Sequence, residues 1–123
     1  PATIRITLFK ETNVAKYLVL ALANVTEGRA HEFHDWYDNV AMPVYRGIEG
    51  LHHLGRYRIL DLPKRHPFQI DSQWQYLSLY EFETDDLAEF SKLADAAIEA
   101  SPDYHFSEAI DKSTFFEPLF VNI

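Results

Sequence analysis

Histidine and tyrosine side chains suited to proton transfer occur close together in the first half of the chain. His34 and Tyr37 stand three residues apart in a segment with helical spacing, so they lie on one face of a helix. An imidazole titrates near neutral pH, and a phenol can donate a hydrogen bond to an oxyanion. We predict His34 as an acid–base group and Tyr37 or Tyr80 as the group that orients a carbonyl, although an ordinary amphipathic helix explains the pattern of His34 and Tyr37.

Two adjacent histidines, His52 and His53, stand near the start of a predicted strand. Neighbouring side chains on a strand point to opposite faces, so the two cannot chelate one ion together. Strict alternation groups His53 with Leu51, Gly55 and Tyr57. We predict His53 as a further catalytic residue, against the alternative of a surface or interface histidine.

Aromatic and cationic side chains elsewhere are predicted to bind a substrate. Trp74, Tyr76 and Tyr80 share one face of a predicted strand, where they form either a pocket wall or core packing against a helix. Arg56 offers a fork of donors to a carboxylate or an enolate, and an exposed or ion-paired arginine fits its position as well. His105 lies in an irregular segment from which it could close the mouth of a pocket.

The composition argues against several kinds of site. The absence of cysteine excludes disulfides, thiolate metal sites and cysteine nucleophiles. His31, His34 and Asp35 lie too close along one helical turn to surround an ion, and no HExxH motif occurs, so we expect neither a metal nor an organic cofactor. Pro1 could act through its secondary amine, as in tautomerases, but removal of an initiator methionine explains it without a function.

Charge and hydropathy limit the partners. A net charge of −8 argues against nucleic-acid binding, which needs a basic face to displace counterions. No apolar run approaches the roughly 20 residues that span a membrane. No signal-peptide pattern opens the chain. We therefore expect a cytoplasmic protein without a membrane partner.

The patterning predicts one domain over residues 1–123, with elements in the order β-α-β-β-α-β. The predicted strands are Tyr17–Val25, Leu51–Leu60, Trp74–Phe82 and Ser113–Val121. The first helix, Arg29–Val40, has Thr26 as its N-cap and ends or kinks at Pro43. The second helix has Thr84 as its cap and an apolar stripe that includes Leu93. Residues 1–12 are predicted as an arm or an extra strand.

This order is the ferredoxin-like βαββαβ pattern, an α+β fold whose antiparallel sheet carries both helices on one face. The other face has no cover within the chain. Leu77 and Leu79 alternate with the tyrosines of their strand and would face water there. A homodimer that packs sheet on sheet would bury them.

The segment Glu32–Arg58, EFHDWYDNVAMPVYRGIEGLHHLGRYR, resembles the core signature of the dimeric α/β-barrel superfamily and is most similar to its EthD-like branch. There an aromatic-rich helix reads approximately FxxWYDxxHxP, and a glycine loop and a basic, aromatic strand end follow. The resemblance implies a dimeric barrel with a pocket between the helices and the concave sheet. Its members include lactone isomerases, polyketide cyclases, cofactor-free monooxygenases and haem enzymes. Relatives often carry an acid–base histidine where this chain has Ala41.

Two functional hypotheses follow. The first is a small cofactor-independent enzyme that acts by proton transfer on a compact apolar or aromatic cyclic substrate, in isomerase, cyclase or lactone chemistry. The alternative is a non-catalytic small-ligand-binding or stress-related dimeric module of the same fold, which Ala41 favours. A structural dimer without a ligand is a third reading. A pocket lined by tyrosine and histidine would favour the first two, and a filled helix–sheet interface the third.

Overall fold

A computed structural model describes residues 13–123, which form four strands and four helical segments. The elements are β1 (Ala15–Ala23), α1 (Ala30–Trp36), a π-helical turn (Tyr37–Ala41), α2 (Met42–Arg46), β2 (His52–Arg58), β3 (Tyr76–Thr84), α3 (Leu87–Glu99) and β4 (Leu119–Val121). The arm or extra strand predicted for residues 1–12 lies outside the described residues. Among those described, no helix combines the length and apolar character needed to cross a bilayer.

The four described strands form one sheet in the order β2-β3-β1-β4, with every neighbouring pair antiparallel. β1 and β3 pair along their whole length, from Ala15 opposite Thr84 to Ala23 opposite Tyr76. The predicted last strand shrinks to three residues, since Pro118 has no N–H to contribute to a ladder. The architecture is α+β and compatible with a ferredoxin-like fold.

The helical segments pack on one face of this sheet. β3 presents alternating residues to that face, namely Tyr76, Ser78, Tyr80 and Phe82. Phe33 of α1 packs against Tyr76, and Phe90 of α3 stacks on Phe82 with ring centroids 3.9 Å apart. The space between α1 and the sheet is therefore walled by aromatic rings, and it holds the site described below.

The first helical unit is longer than predicted. It begins at Ala30, and Arg29 occupies the N-cap position, so Thr26 is not the cap; the Thr26 carbonyl instead accepts the Arg29 N–H in a turn. Helical structure continues to Arg46, beyond Pro43. Pro43 is tolerated because it falls in the first turn of α2, directly after the π-helical turn has widened the helix.

Helix α3, the second of the two predicted helices, also begins differently from the prediction. Its N-cap is Asp86 rather than Thr84, and a carboxylate oxygen of Asp86 accepts the Glu89 N–H at 3.1 Å. Thr84 ends β3, and its hydroxyl accepts the Asp86 N–H, which makes it part of the turn. Leu93, which was assigned to the apolar stripe of this helix, is 61% exposed.

A β-bulge changes the side-chain alternation of β2. His53 pairs with Tyr80, but the register then shifts so that Arg56 pairs with Ser78. The extra residue places Arg56 on the helix-covered face with His53, and it turns Tyr57 to the other face. The grouping of His53 with Tyr57 was therefore wrong, since strict alternation cannot anticipate a bulge.

The bulge depends on Gly55, whose φ of +153° favours glycine. A Cβ there would also lie 2.8 Å from the Tyr57 hydroxyl. We expect Gly55→Ala to lower the free energy of unfolding by about 1–3 kcal/mol, measured by urea denaturation. Gly47→Ala, at an ordinary φ of −81°, is the control and should change it less. Equal unfolding curves for Gly55→Ala and the wild type would contradict a strained bulge.

Candidate functional site

A cavity of about 130 Å³ lies between the first helical unit and the sheet. Eight of the 17 residues that line it are aromatic, among them Phe33, Trp36, Tyr37, Tyr76, Tyr80 and Phe106. The polar side chains on the wall are Arg56, Ser78 and Glu117, beside the tyrosine hydroxyls. An apolar cavity of about 150 Å³ can hold benzene, so this one suits a single compact ring rather than a drug-sized ligand.

A second depression, among residues 59–72, is larger at about 510 Å³ but is a poorer candidate. It is formed by a loop whose apolar side chains are exposed, including Leu62 at 71% and Ile70 at 79%. None of the tyrosines or histidines predicted for the site lines it. The aromatic cavity is therefore the candidate site.

Two tyrosine hydroxyls meet at the wall of this cavity. Tyr37 comes from the π-helical turn and Tyr80 from β3, each is 5% exposed, and their hydroxyls are hydrogen-bonded to each other. The Ser78 hydroxyl donates to the Tyr80 oxygen at 3.2 Å, and His53 Nε2 lies 3.0 Å from the Ser78 oxygen. A continuous chain of hydrogen bonds thus joins half-buried His53 to Tyr37. The π-helical turn that carries Tyr37 is a feature that often occurs at functional sites.

The buried phenols are donors rather than bases at neutral pH. Burial raises the pKa of Tyr37, and burial raises the pKa of Tyr80 far above its ordinary value. Ser78 uses its hydrogen on Tyr80, and Tyr80 can in turn donate to Tyr37. That order leaves the Tyr37 hydrogen available to a carbonyl or enolate oxygen in the cavity.

Glu117 is a wall residue that the sequence reasoning missed. Its side chain lines the cavity, and burial of the carboxyl raises its pKa. The residue as a whole counts as exposed, so partial surrounding by protein, rather than full enclosure, causes this shift. The signal was present in FFEPLF, where one carboxylate interrupts an apolar run. A carboxyl with a raised pKa is a stronger base when ionised, which suits proton transfer.

Arg56 reaches the cavity with its guanidinium held on two sides. Its Cζ lies 4.1 Å from the centroid of the Tyr37 ring, and one Nη donates to His34 Nδ1 at 3.0 Å. Burial and then the Arg56 charge lower the pKa of His34, and the same causes lower the pKa of His53. Both imidazoles are therefore biased toward the neutral form, in which His34 Nδ1 can accept.

The structure divides the predicted catalytic and binding residues between the cavity and its surroundings. Tyr76 lines the cavity, as Tyr37 and Tyr80 do. His34 is not among the lining residues and is hydrogen-bonded to Arg56, which is. Trp74 does not line the cavity and stacks on Phe116 with centroids 5.5 Å apart. His105 is exposed, and its carbonyl accepts the Trp36 indole N–H at 2.6 Å.

Ala41 occupies the core rather than the wall. It is fully buried, and it is not among the residues that line the cavity. The position where relatives often carry a histidine therefore adds no room to the cavity in this chain. Tyr45, which was not predicted, lines the cavity instead, with its hydroxyl 2.8 Å from that of Tyr104.

Neither a metal cluster nor a known relative identifies the site. Within residues 13–123, no group of three or more histidine, aspartate or glutamate side chains is arranged to hold a metal ion. No family model, curated protein or solved structure matches the chain. The case for a function therefore rests on the residues that meet in the aromatic cavity.

Proposed function

We propose that this protein is a small cofactor-independent enzyme that moves a proton on a compact apolar or aromatic cyclic substrate, in isomerase, cyclase or lactone chemistry. One observation carries this proposal: Glu117 and Tyr37 both line one ring-sized cavity. A base and a hydrogen-bond donor on one cavity wall are the parts that enolisation of a ring ketone or lactone requires.

The proposed step is balanced without a further reactant. The Glu117 carboxylate takes a proton from the carbon beside a carbonyl, and the electron pair of that C–H bond shifts toward the carbonyl oxygen. The Tyr37 hydroxyl donates to the resulting enolate oxygen. The protonated Glu117 then returns the proton to the same or another carbon, which gives exchange or isomerisation.

The remaining polar residues support Tyr37. Donation along the chain from His53 through Ser78 and Tyr80 increases the donor strength of the Tyr37 hydroxyl, since hydrogen bonds in series polarise one another. His34 acts through Arg56, which it contacts at 3.0 Å, and is a positioning residue in this scheme. His53 lies at the end of this series of hydrogen bonds that is farthest from Tyr37, and it contacts Ser78 rather than the substrate.

Hydrogen exchange in a simple ring ketone tests the proposal. Cyclohexanone in deuterium oxide should exchange the hydrogens beside its carbonyl faster with the protein than with buffer, and the rate should saturate with ketone concentration, followed by proton NMR. Binding of the ketone without added exchange would favour the alternative, a non-catalytic ligand-binding module. No binding and no exchange across a panel of ring ketones and lactones would contradict both.

We also propose that two copies pair through the sheet face opposite the helices, as in a dimeric α/β barrel. Alternation places leucines there, including Leu20 and Leu79, which pair at the centre of the sheet. At its edges Tyr57 is 53% and Phe120 54% exposed. No described helix covers this face, and contiguous exposed apolar surface is typical of an interface. An isologous pair would bury both copies of the face at once.

A further inference from the structure

We propose that the ligand of the aromatic cavity is a compact ring that carries a carboxylate, and that Arg56 binds this carboxylate. The inference rests on the proposed function, because it concerns the same cavity and names the class of its substrate. It adds a charge requirement that the proton-transfer scheme does not contain.

The Arg56 charge has no counterion in the described part of the chain. The ion pairs found among residues 13–123 involve other cations, and the only hydrogen bond found for the Arg56 side chain goes to His34. A guanidinium has five N–H donors, so most of them have no partner among the described residues. Arg56 is half-buried, and a charge withdrawn from water is normally paired. A carboxylate in the cavity would pair it.

The Arg56 guanidinium is held in place by other protein groups before any ligand binds. It lies over the Tyr37 ring, and its Cζ is also 5.3 Å from the centroid of the Phe33 ring. His34 accepts from one Nη, and the bulge at Gly55 directs the side chain to the cavity face. A planar fork held in this way matches the two oxygens of a carboxylate, and little side-chain entropy is lost when they bind.

Glu117 is the one carboxyl among the described residues that line the cavity, and no ion pair between it and Arg56 is found there. The net charge of −8 gives no general attraction for anions, so any preference for them must arise locally. Arg56 lies against the ring of Tyr37, so a carboxylate there leaves the ligand's ring among the aromatic side chains.

Benzoate and benzamide, which have nearly the same shape, test the inference. At neutral pH we expect the wild type to bind benzoate about tenfold or more tightly than benzamide, measured by calorimetry or NMR titration, because only benzoate brings a negative charge that pairs with the guanidinium. Arg56→Met should abolish this preference, with a much larger loss of affinity for benzoate than for benzamide. Arg58→Met, an exposed arginine on the same strand, is the matched control and should keep the preference.

Each outcome decides the inference. Equal affinity of the wild type for the two ligands, or an unchanged preference in folded Arg56→Met, would show that Arg56 binds no carboxylate. If Arg56→Met fails to fold, Arg56→Lys serves as the second variant, since it keeps the charge but not the planar fork of donors. It should retain part of the preference for benzoate over benzamide. A complete loss of that preference in Arg56→Lys would overturn the inference. Benzoate preference without hydrogen exchange on ring ketones would retain the anion site and remove the enzymatic function. Hydrogen exchange on ring ketones without a benzoate preference would retain the enzymatic function and remove the anion site.

Discussion

Glu117→Gln is expected to slow the protein-dependent hydrogen exchange of cyclohexanone by about 100-fold or more, because an amide cannot remove a proton from carbon. The exchange rate of the wild type should rise with pH through the Glu117 pKa, with a midpoint above the ordinary value of 4.5, since burial raises that pKa. The variant should lack this rise. Proton NMR across a pH series measures both effects.

The fold of the Glu117 variant should be intact. A carboxyl whose folded-state pKa is raised stabilises the fold less as pH rises through that pKa, so a neutral glutamine should leave stability at neutral pH equal or slightly higher. Glu99→Gln, at the exposed end of α3, is the matched control and should keep the wild-type rate. An unchanged rate in Glu117→Gln would show that another group is the base.

Leu79→Asp is expected to convert a homodimer into a monomer of 14.3 kDa at micromolar concentration. Leu79 pairs with Leu20 at the centre of the open sheet face, where an isologous interface would bury the new charge without a partner. Because its side chain points away from the helix-covered face, the aspartate should leave the cavity and the fold in place. Sedimentation velocity measures the mass, and circular dichroism checks the fold.

Leu93→Asp provides the comparison for this prediction. Leu93 is 61% exposed on α3, on the other side of the sheet, so a charge there should leave the dimer unchanged. A wild-type protein that sediments as a monomer at these concentrations would refute pairing through the open face. A Leu79→Asp variant that remains a folded dimer would place the interface elsewhere.

Local patterns in the sequence account for much of the sheet and part of the cavity wall. The alternation in WQYLSLYEF correctly placed Tyr76 and Tyr80 on one face and the intervening leucines on the other, because strand geometry alone fixes which side chains share a face. Helical spacing likewise placed Tyr37 toward the sheet. These residues reach the site by regular structure that their own neighbours specify.

The residues that complete the site depend on irregular backbone. Arg56 reaches the cavity only because the bulge at Gly55 shifts the register, and a glycine in a strand pattern does not specify the direction of that shift. Glu117 comes from a segment interrupted by Pro118, and it meets Tyr37 and Tyr80 only through tertiary packing. Periodicity carries no information about either contact.

The proposed site is tested most directly by locating where a small ring ligand binds on the protein. Cyclohexanone or benzoate should give intermolecular nuclear Overhauser effects to the ring hydrogens of Phe33, Tyr37 and Tyr80 in the labelled protein, because these rings wall the cavity. Such contacts are the result that the proposed site predicts. Contacts confined to the loop of residues 59–72 or to the leucines of the open sheet face would contradict it.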